Sequence, residues 1–158
     1  MKQHLSAMPI WAIFMMCFNI QSPKFGTASN LAEAKKAIAA SNRIYFQAFV
    51  KNDQAIFINR YADDCIIMPP NMQSLRGAAG AGRFFKMAYE QFGLRDGQFI
   101  TTAVYGDGGI FVTEEGLWRS FDARHRLFDN GKFLVLWKKT VKGWKMFRDS
   151  FSSNRPRK

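Results

Sequence analysis

The last part of the chain, residues 131–154, most constrains the fold that the sequence can adopt. Its sequence, GKFLVLWKKTVKGWKMFRDSFSSN, reads as two neighbouring strands joined by a turn at Gly143. In the first strand Phe133, Val135 and Trp137 share one face at a period of two residues. A hairpin this rich in aromatic rings needs a covering surface before it is stable. We therefore expect the earlier part of the chain to supply that cover as helices.

Three helices are predicted upstream of the hairpin. Asn30 followed by Glu33 is a capping-box signature, and it predicts a helix from about residue 31 to residue 50. Asp53 is expected to cap a second helix, and a third is predicted from about residue 77 to residue 91. The side chains expected on the buried stripes of the second and third helices are Ile56, Phe57, Tyr61, Phe85, Ala88 and Phe92.

The other segments with a regular pattern are predicted to be strands. A short apolar strand ends at Pro69-Pro70, because proline cannot continue a ladder of backbone hydrogen bonds. Longer strands are predicted over residues 98–105 and 110–121, and a wide connection, residues 122–130, leads into the hairpin. Helices first and antiparallel strands afterwards predict an α+β domain, with the N-terminal helices packed on a strongly curved, mostly antiparallel sheet.

The first 28 residues differ in composition from the rest of the chain. They contain no Asp or Glu, are apolar over residues 7–20, and end in the small residues Gly26-Thr27-Ala28. This pattern predicts a signal peptide over residues 1–28, and a single exported domain, periplasmic or secreted, over residues 29–158. The apolar run is shorter than the ~20 residues that a spanning helix needs. We therefore expect no stable membrane anchor after cleavage, and a short uncleaved anchor is the alternative.

The chain is basic, with a formal net charge of +11. Its positive charges are scattered and no nucleic-acid-binding motif accompanies them, so we expect a solvated basic surface and no nucleic-acid partner. The alternative is that Lys138, Lys139 and Lys142 dock a protein or an anionic partner. No cluster of His, Cys and carboxylate residues has metal-ligand spacing, so we expect neither a metal nor another cofactor.

Several short segments together resemble a known family. The segments are the helix with Tyr45, Tyr61-Ala62-Asp63-Asp64, Pro69-Pro70, Arg76-Gly77, Gly143-Trp144-Lys145 and Asp149. Their order and spacing resemble the nuclear transport factor 2-like superfamily, in particular its SnoaL-like branch. The resemblance implies an α+β cone whose curved sheet surrounds a pocket closed by the N-terminal helices. It also implies a homodimer formed through the sheet.

The resemblance extends distantly to the ketosteroid isomerases of that superfamily. The tyrosine that donates a hydrogen bond to the substrate oxyanion in those enzymes corresponds to Tyr45. The position of their catalytic aspartate corresponds to Pro69, which has no side-chain proton acceptor. The position of their second oxyanion donor falls around residues 135–137, where no residue is acidic. The isomerase reaction is therefore not expected here.

Three residues are the candidates for catalysis: Tyr45, Glu114 and Asp149. Because neighbouring residues in a strand point to opposite sides, one of Glu114 and Glu115 must face inward. A glutamate inside an aromatic pocket would have a raised pKa and could act as a general acid or base. The alternative is that both glutamates lie near the rim and pair with Arg119 or nearby lysines. Asp149 could equally hold the C-terminal tail by hydrogen bonds.

The function expected from these observations is the binding of a small hydrophobic or aromatic molecule in the pocket. The residues expected to line the pocket beside the catalytic candidates are Phe49, Met68, Asn71, Phe85, Trp118 and Trp137. Whether the pocket also carries out a lyase- or isomerase-type reaction remains open at this point. The alternative function is a non-enzymatic interaction module that uses the sheet or the basic surface.

Overall fold

The computed structural model of the protein describes residues 27–155. Almost all of the predicted signal peptide, residues 1–26 of it, lies outside the described residues. The helices and strands are α1 (Thr27–Tyr45), α2 (Gln47–Lys51), α3 (Gln54–Ile58), β1 (Tyr61–Met68), β2 (Leu75–Arg76), α4 (Gly77–Lys86), β3 (Asp96–Tyr105), β4 (Phe111–Phe121), β5 (Leu127–Thr140) and β6 (Gly143–Ser153). A π-helical turn, Met87–Gln91, continues α4. Within the described residues no helix is both long enough and apolar enough to cross a membrane.

The six strands form one sheet in the order β2-β1-β6-β5-β4-β3. β1 runs parallel to β6, and all the other neighbouring strands are antiparallel. The helices lie against one face of this open sheet, and the buried side chains of both layers form a single core. The predicted α+β class, with helices first and a mostly antiparallel sheet after them, is confirmed.

The predicted first helix is divided in two at Phe46. α1 ends at Tyr45 and α2 begins at Gln47, so the chain turns between them. Adjacent residues of a regular helix point about 100° apart, which would turn one of Tyr45 and Phe46 away from the sheet. The break allows both rings to be buried against β3, where they contact Phe99.

The predicted helix starts are partly correct. Asp53 caps α3 as predicted, since its Oδ1 accepts hydrogen bonds from the amides of Ala55 at 2.8 Å and Ile56 at 3.3 Å. The capping box at Asn30 is wrong, because α1 begins earlier, at Thr27. Ser and Thr are also favoured residues at a helix start, so the segment just before Asn30 competes for that place.

Two side chains predicted on buried helix stripes lie elsewhere. Tyr61 is not in the second helix, because α3 ends at Ile58 and Tyr61 begins β1 opposite Met146 of β6. Phe92 is 55% exposed. The π-helical turn before it holds more residues per turn than an α-helix, and this rotates Phe92 away from the buried stripe that Phe85 and Ala88 occupy.

The C-terminal hairpin forms as predicted, with Phe133, Val135 and Trp137 buried on one face of β5. The wide connection predicted before it is shorter, because β5 already begins at Leu127. Asp122 compacts this connection, since its carboxylate accepts hydrogen bonds from two backbone amides of the loop and pairs with the Arg126 guanidinium at 2.7 Å.

Candidate functional site

A cavity of about 430 Å³ lies between the helices and the concave face of the sheet. Aromatic side chains dominate its wall, namely Tyr45, Phe46, Phe84, Phe92, Phe99, Trp118, Phe128, Phe133 and Phe151. The polar side chains on the wall are Asn71, Ser120, Asp129, Asp149, Ser153 and Arg155. A concave, mostly apolar space with a small set of polar groups is typical of a small-molecule site.

Asp149 of β6 is a buried carboxyl group on this wall. It is 6% exposed, and the Tyr61 hydroxyl of β1 donates a hydrogen bond to its Oδ2 at 2.6 Å. Burial raises the pKa of Asp149 to about 6; the Tyr61 hydrogen bond opposes this rise, and the charge of Glu114 adds to it. A carboxyl group with this pKa changes its protonation close to neutral pH, which suits an acid or a base.

Two tyrosines surround Asp149. The rings of Tyr45 and Tyr61 lie 6.5 Å apart, centroid to centroid. Burial first, and then the charge on Asp149, raise the pKa of both tyrosines above the ordinary value. Both hydroxyl groups therefore stay protonated near neutral pH, and each can donate one hydrogen bond, which Tyr61 makes to Asp149.

The second polar part of the wall involves the end of β6. Asp129 accepts a hydrogen bond from the Ser153 hydroxyl at 2.8 Å, and its Oδ1 lies 4.0 Å from Nε of Arg155. The Arg155 guanidinium also lies over the ring of Phe128, 6.0 Å from the centroid. These groups are more exposed than Asp149, so the cavity has a buried polar end and a solvated one.

Glu114 does not lie on the cavity wall. It is fully buried in the core, with 0% of its surface exposed. Its Oε1 accepts hydrogen bonds from Asn42 at 2.7 Å and Thr101 at 2.5 Å, and its Oε2 accepts one from Trp137 at 2.9 Å. Burial raises the pKa of Glu114, and the three hydrogen bonds oppose that rise. The interpretation that placed Glu114 at the rim is wrong, because inward-facing positions of β4 lie in the core.

The sequence-predicted lining residues divide into two groups. Tyr45, Asn71, Trp118 and Asp149 lie on the wall of the cavity. The five that do not line it are Phe49, Met68, Phe85, Glu114 and Trp137.

Physical reasons account for the positions of the second group. Phe49 and Phe85 stack on each other in the core with ring centroids 4.9 Å apart. Trp137 is buried in the core, where its indole N–H donates a hydrogen bond to Glu114. Met68 follows the inward-facing Ile67, so strand alternation turns it to the opposite side.

Three residues of these clusters were not among the sequence-predicted site residues: Asn42, Tyr61 and Thr101. The sequence pattern predicts Tyr61 in a helix, whereas it begins β1 and reaches Asp149 of β6. The Tyr61–Asp149 contact joins residues 88 positions apart in the chain, and the Asn42–Glu114 contact joins residues 72 apart. Strand alternation could have indicated Thr101, whereas the other two depend on how distant elements pair.

The lysines considered for docking an anionic partner each lie against a carboxylate. Nζ of Lys138 is 2.7 Å from Asp64, that of Lys139 is 3.3 Å from Glu33, and that of Lys142 is 3.6 Å from Asp63. These exposed pairs reduce the positive charge that the surface presents. Within residues 27–155, no group of three or more His, Cys, Asp and Glu side chains could hold a metal ion.

Comparisons with known proteins identify the fold. No protein-family model matches the sequence, and no curated protein matches it. Among solved structures, a domain of unknown function with a cystatin-like fold from Nostoc punctiforme PCC 73102 is similar, with a TM-score of 0.67 and 15% identity over 79% of each chain.

Two further solved structures are similar over most of this chain. A ketosteroid isomerase-like protein from Erwinia carotovora atroseptica SCRI1043 has a TM-score of 0.61 and 19% identity, over 80% of this chain and 98% of that one. An NTF-2 like protein of unknown function from Shewanella oneidensis MR-1 has a TM-score of 0.63 and 15% identity, over 75% of this chain and 98% of that one. The chain therefore has the nuclear transport factor 2-like, cystatin-like α+β cone fold.

Proposed function

We propose that the protein binds a small, largely apolar, ring-containing molecule in the cavity and transfers a proton on it with Asp149. One observation carries the proposal: a buried carboxyl group with a pKa of about 6 lies on a mostly aromatic wall. Aromatic side chains favour a flat, apolar ligand, because rings pack on rings in offset or edge-to-face arrangements. The buried acid then acts on the part of the ligand next to it.

In this proposal each polar group at the buried end has one role. The Asp149 carboxylate takes a proton from a carbon of the ligand next to a carbonyl group. The electron pair of the broken C–H bond moves onto the carbonyl oxygen, which Tyr45 stabilises by donating a hydrogen bond. Asp149 then returns the proton to another atom of the ligand, which is an isomerisation, or to a leaving group, which is a lyase reaction. Tyr61 orients the Asp149 carboxylate through its hydrogen bond.

Native mass spectrometry of the protein purified from its own host tests binding. We expect the wild type to carry a discrete extra mass, and Ser120→Phe to lose it, because Ser120 lies on the cavity wall and a ring there fills the space. The matched control is Ser152→Phe on β6, where the side chain is exposed. Retention of the same mass by folded Ser120→Phe would place the ligand outside the cavity.

Proton transfer is tested on the ligand released from the same preparations. In D2O the wild type should exchange a carbon-bound hydrogen of the ligand for deuterium, whereas Asp149→Asn should bind the ligand without exchange. An equal exchange rate in both proteins would remove Asp149 from the chemistry and leave a binding protein.

The alternative function, a non-enzymatic interaction module with a basic docking surface, has less support. It depends on free positive charge at Lys138, Lys139 and Lys142, and each of these side chains lies against a carboxylate. The aromatic wall of the cavity, by contrast, is explained by a small-molecule ligand without any partner protein.

We further propose that residues 1–28 direct export. We also propose that the protein assembles as a homodimer through the outer face of the sheet. Phe111, Leu117 and Leu134 alternate with buried residues on β4 and β5 and are 41%, 43% and 51% exposed. Exposed apolar residues on neighbouring strands mark an interaction surface.

A charge on that face should prevent the proposed dimer. We expect Leu134→Asp to be a monomer by sedimentation equilibrium at concentrations where the wild type is a dimer, because the charge would be buried without a partner. Val141→Asp, at the fully exposed turn of the same hairpin, should remain a dimer. A wild-type monomer, or a dimeric Leu134→Asp variant, would contradict this assembly.

A further inference from the structure

Two buried carboxyl groups lie in one row across the sheet. Glu114 of β4 is opposite Val135 of β5, and Val135 is opposite Asp149 of β6. All three side chains are buried on the same face. Neighbouring strands lie ~4.8 Å apart, so the Cα atoms of Glu114 and Asp149 are separated by roughly 10 Å. One small apolar side chain, that of Val135, stands between the two acids in this row.

Three hydrogen-bond donors stabilise the ionised form of Glu114 and oppose the burial that raises its pKa. The amide of Asn42 and the indole of Trp137 can only donate through the nitrogen atoms that contact Glu114, and the Thr101 hydroxyl donates as well. A carboxylate satisfies all three donors, whereas a protonated carboxyl group would lose part of that accepting capacity. Among the described residues, no Lys or Arg lies within salt-bridge distance of Glu114. Its negative charge is therefore held by dipoles and is not cancelled locally.

We propose that Glu114 is a positioning residue for Asp149: its buried charge, placed one residue away across the sheet, helps to keep a proton on Asp149 in the cavity. The inference rests on the proposed function, in which Asp149 transfers the proton. Glu114 itself does not reach the cavity, so it acts on the ligand only through Asp149.

The other titratable groups that face Asp149 do not supply a negative charge near neutral pH. Tyr45 of α1 and Tyr61 of β1 are protonated there, and burial raises the pKa of the Cys65 thiol of β1. α4 presents aromatic side chains such as Phe84 to the cavity, and β5 presents Val135 to Asp149.

The charged groups at the solvated part of the wall, Asp129 and Arg155, lie 4.0 Å from each other and largely compensate each other. Glu114 is therefore the group whose charge reaches Asp149 through the interior, where screening by water is weak. This is the reason to expect a measurable coupling between two side chains that do not touch.

Carbon-13 NMR of the carboxyl groups measures the coupling directly in the ligand-free protein. Protein labelled at Asp Cγ is titrated between pH 4 and pH 9, and the Asp149 resonance is assigned with Asp149→Asn. In Glu114→Gln we expect the Asp149 midpoint to fall by roughly one pH unit, which is the effect of a charge ~10 Å away at an effective dielectric constant of ~20. The matched control is Glu115→Gln, the neighbouring glutamate on the opposite face, which should leave the midpoint in place.

A second measurement needs no variant in the core. In wild-type protein labelled at Glu Cδ, the Glu114 resonance should show an inflection at the pH where Asp149 titrates, because coupled groups report each other's ionisation. Its absence, or an unchanged Asp149 midpoint in folded Glu114→Gln, would overturn the inference.

The two proposals fail separately. If the coupling is absent but Asp149→Asn still stops deuterium exchange, only the role of Glu114 is lost. If the coupling is present and the ligand shows no exchange, the proposed chemistry is lost and the pair of acids remains a property of the fold.

Discussion

Asp149→Asn is expected to raise the free energy of unfolding at pH 7.5 by up to about 3 kcal/mol while it abolishes proton transfer. In the folded protein the pKa of Asp149 is about 6, and the ordinary value is 3.8. One pKa unit corresponds to about 1.4 kcal/mol, so ionising this buried group costs about 3 kcal/mol relative to ionising it in the unfolded chain. Asparagine keeps an oxygen that can accept the Tyr61 hydrogen bond and carries no charge.

The sign of the pH dependence follows from which state binds the proton more tightly. Between pH 4 and pH 6 the folded protein holds a proton on Asp149 that the unfolded chain has lost, so stability falls as the pH rises through this window. Below pH 4 both states are protonated at this group and its cost disappears. The difference between Asp149→Asn and the wild type should therefore grow from pH 4 to pH 6 and stay constant above it.

Urea unfolding at half-unit pH steps measures this difference, and Tyr61→Phe provides a variant with the opposite expected direction. Removing the Tyr61 hydroxyl takes away the hydrogen bond that lowers the pKa of Asp149, so the window of falling stability should extend to higher pH. If the difference between Asp149→Asn and the wild type does not change with pH, Asp149 is not a buried acid with a raised pKa.

Trp137→Ala is expected to cost about 3–5 kcal/mol of unfolding free energy, the usual range for removing a buried large aromatic side chain. Trp137 is 0% exposed and is the largest of the fully buried side chains. Its loss would leave a cavity in the core against β5. It would also remove one of the three hydrogen-bond donors to Glu114. The change in the midpoint of urea unfolding measures the cost.

A pair of milder variants separates the hydrogen bond from the packing. Trp144 lies in the same hairpin and is also buried, but among the described residues its indole nitrogen has no hydrogen-bond partner. Both Trp→Phe variants remove part of the ring system, but only Trp137→Phe also removes a hydrogen bond, the one that the indole donates to Glu114. Trp137→Phe should therefore cost about 1–3 kcal/mol more than Trp144→Phe. Equal costs would mean that the Trp137–Glu114 bond does not stabilise the fold.

The features that strand periodicity determines could be predicted from the sequence. A period of two admits only two assignments for a strand, so the sequence groups Val112, Glu114, Gly116 and Trp118 on one face of β4, and the structure shows that this face is the inward one. The same rule placed Phe133, Val135 and Trp137 on the buried face of β5. The α+β class then followed from the order of helices and strands.

The division between core and cavity wall could not be predicted in this way. Phe49 in the core and Trp118 on the wall are both buried aromatic residues, and burial is all that a hydrophobic pattern reports. Which of the two lines the cavity depends on the helix break at Phe46 and on the π-helical turn after α4. Neither of these two irregularities has a strong sequence signal. The Tyr61–Asp149 contact was missed because it requires the parallel pairing of β1 with β6.

That parallel pairing also decides when the buried end of the cavity can form. β6 is the last strand of residues 27–155, and it joins β1 and β2 to the rest of the sheet. A ribosome-bound chain that has not yet released β6 cannot place Tyr61 beside Asp149, 88 residues later. Folding must wait for nearly the whole domain, and contacts between residues so distant in sequence close slowly. Until then β1 has only the two-residue strand β2 as a partner and exposes its apolar residues, so the nascent chain depends on chaperones more than the finished protein does.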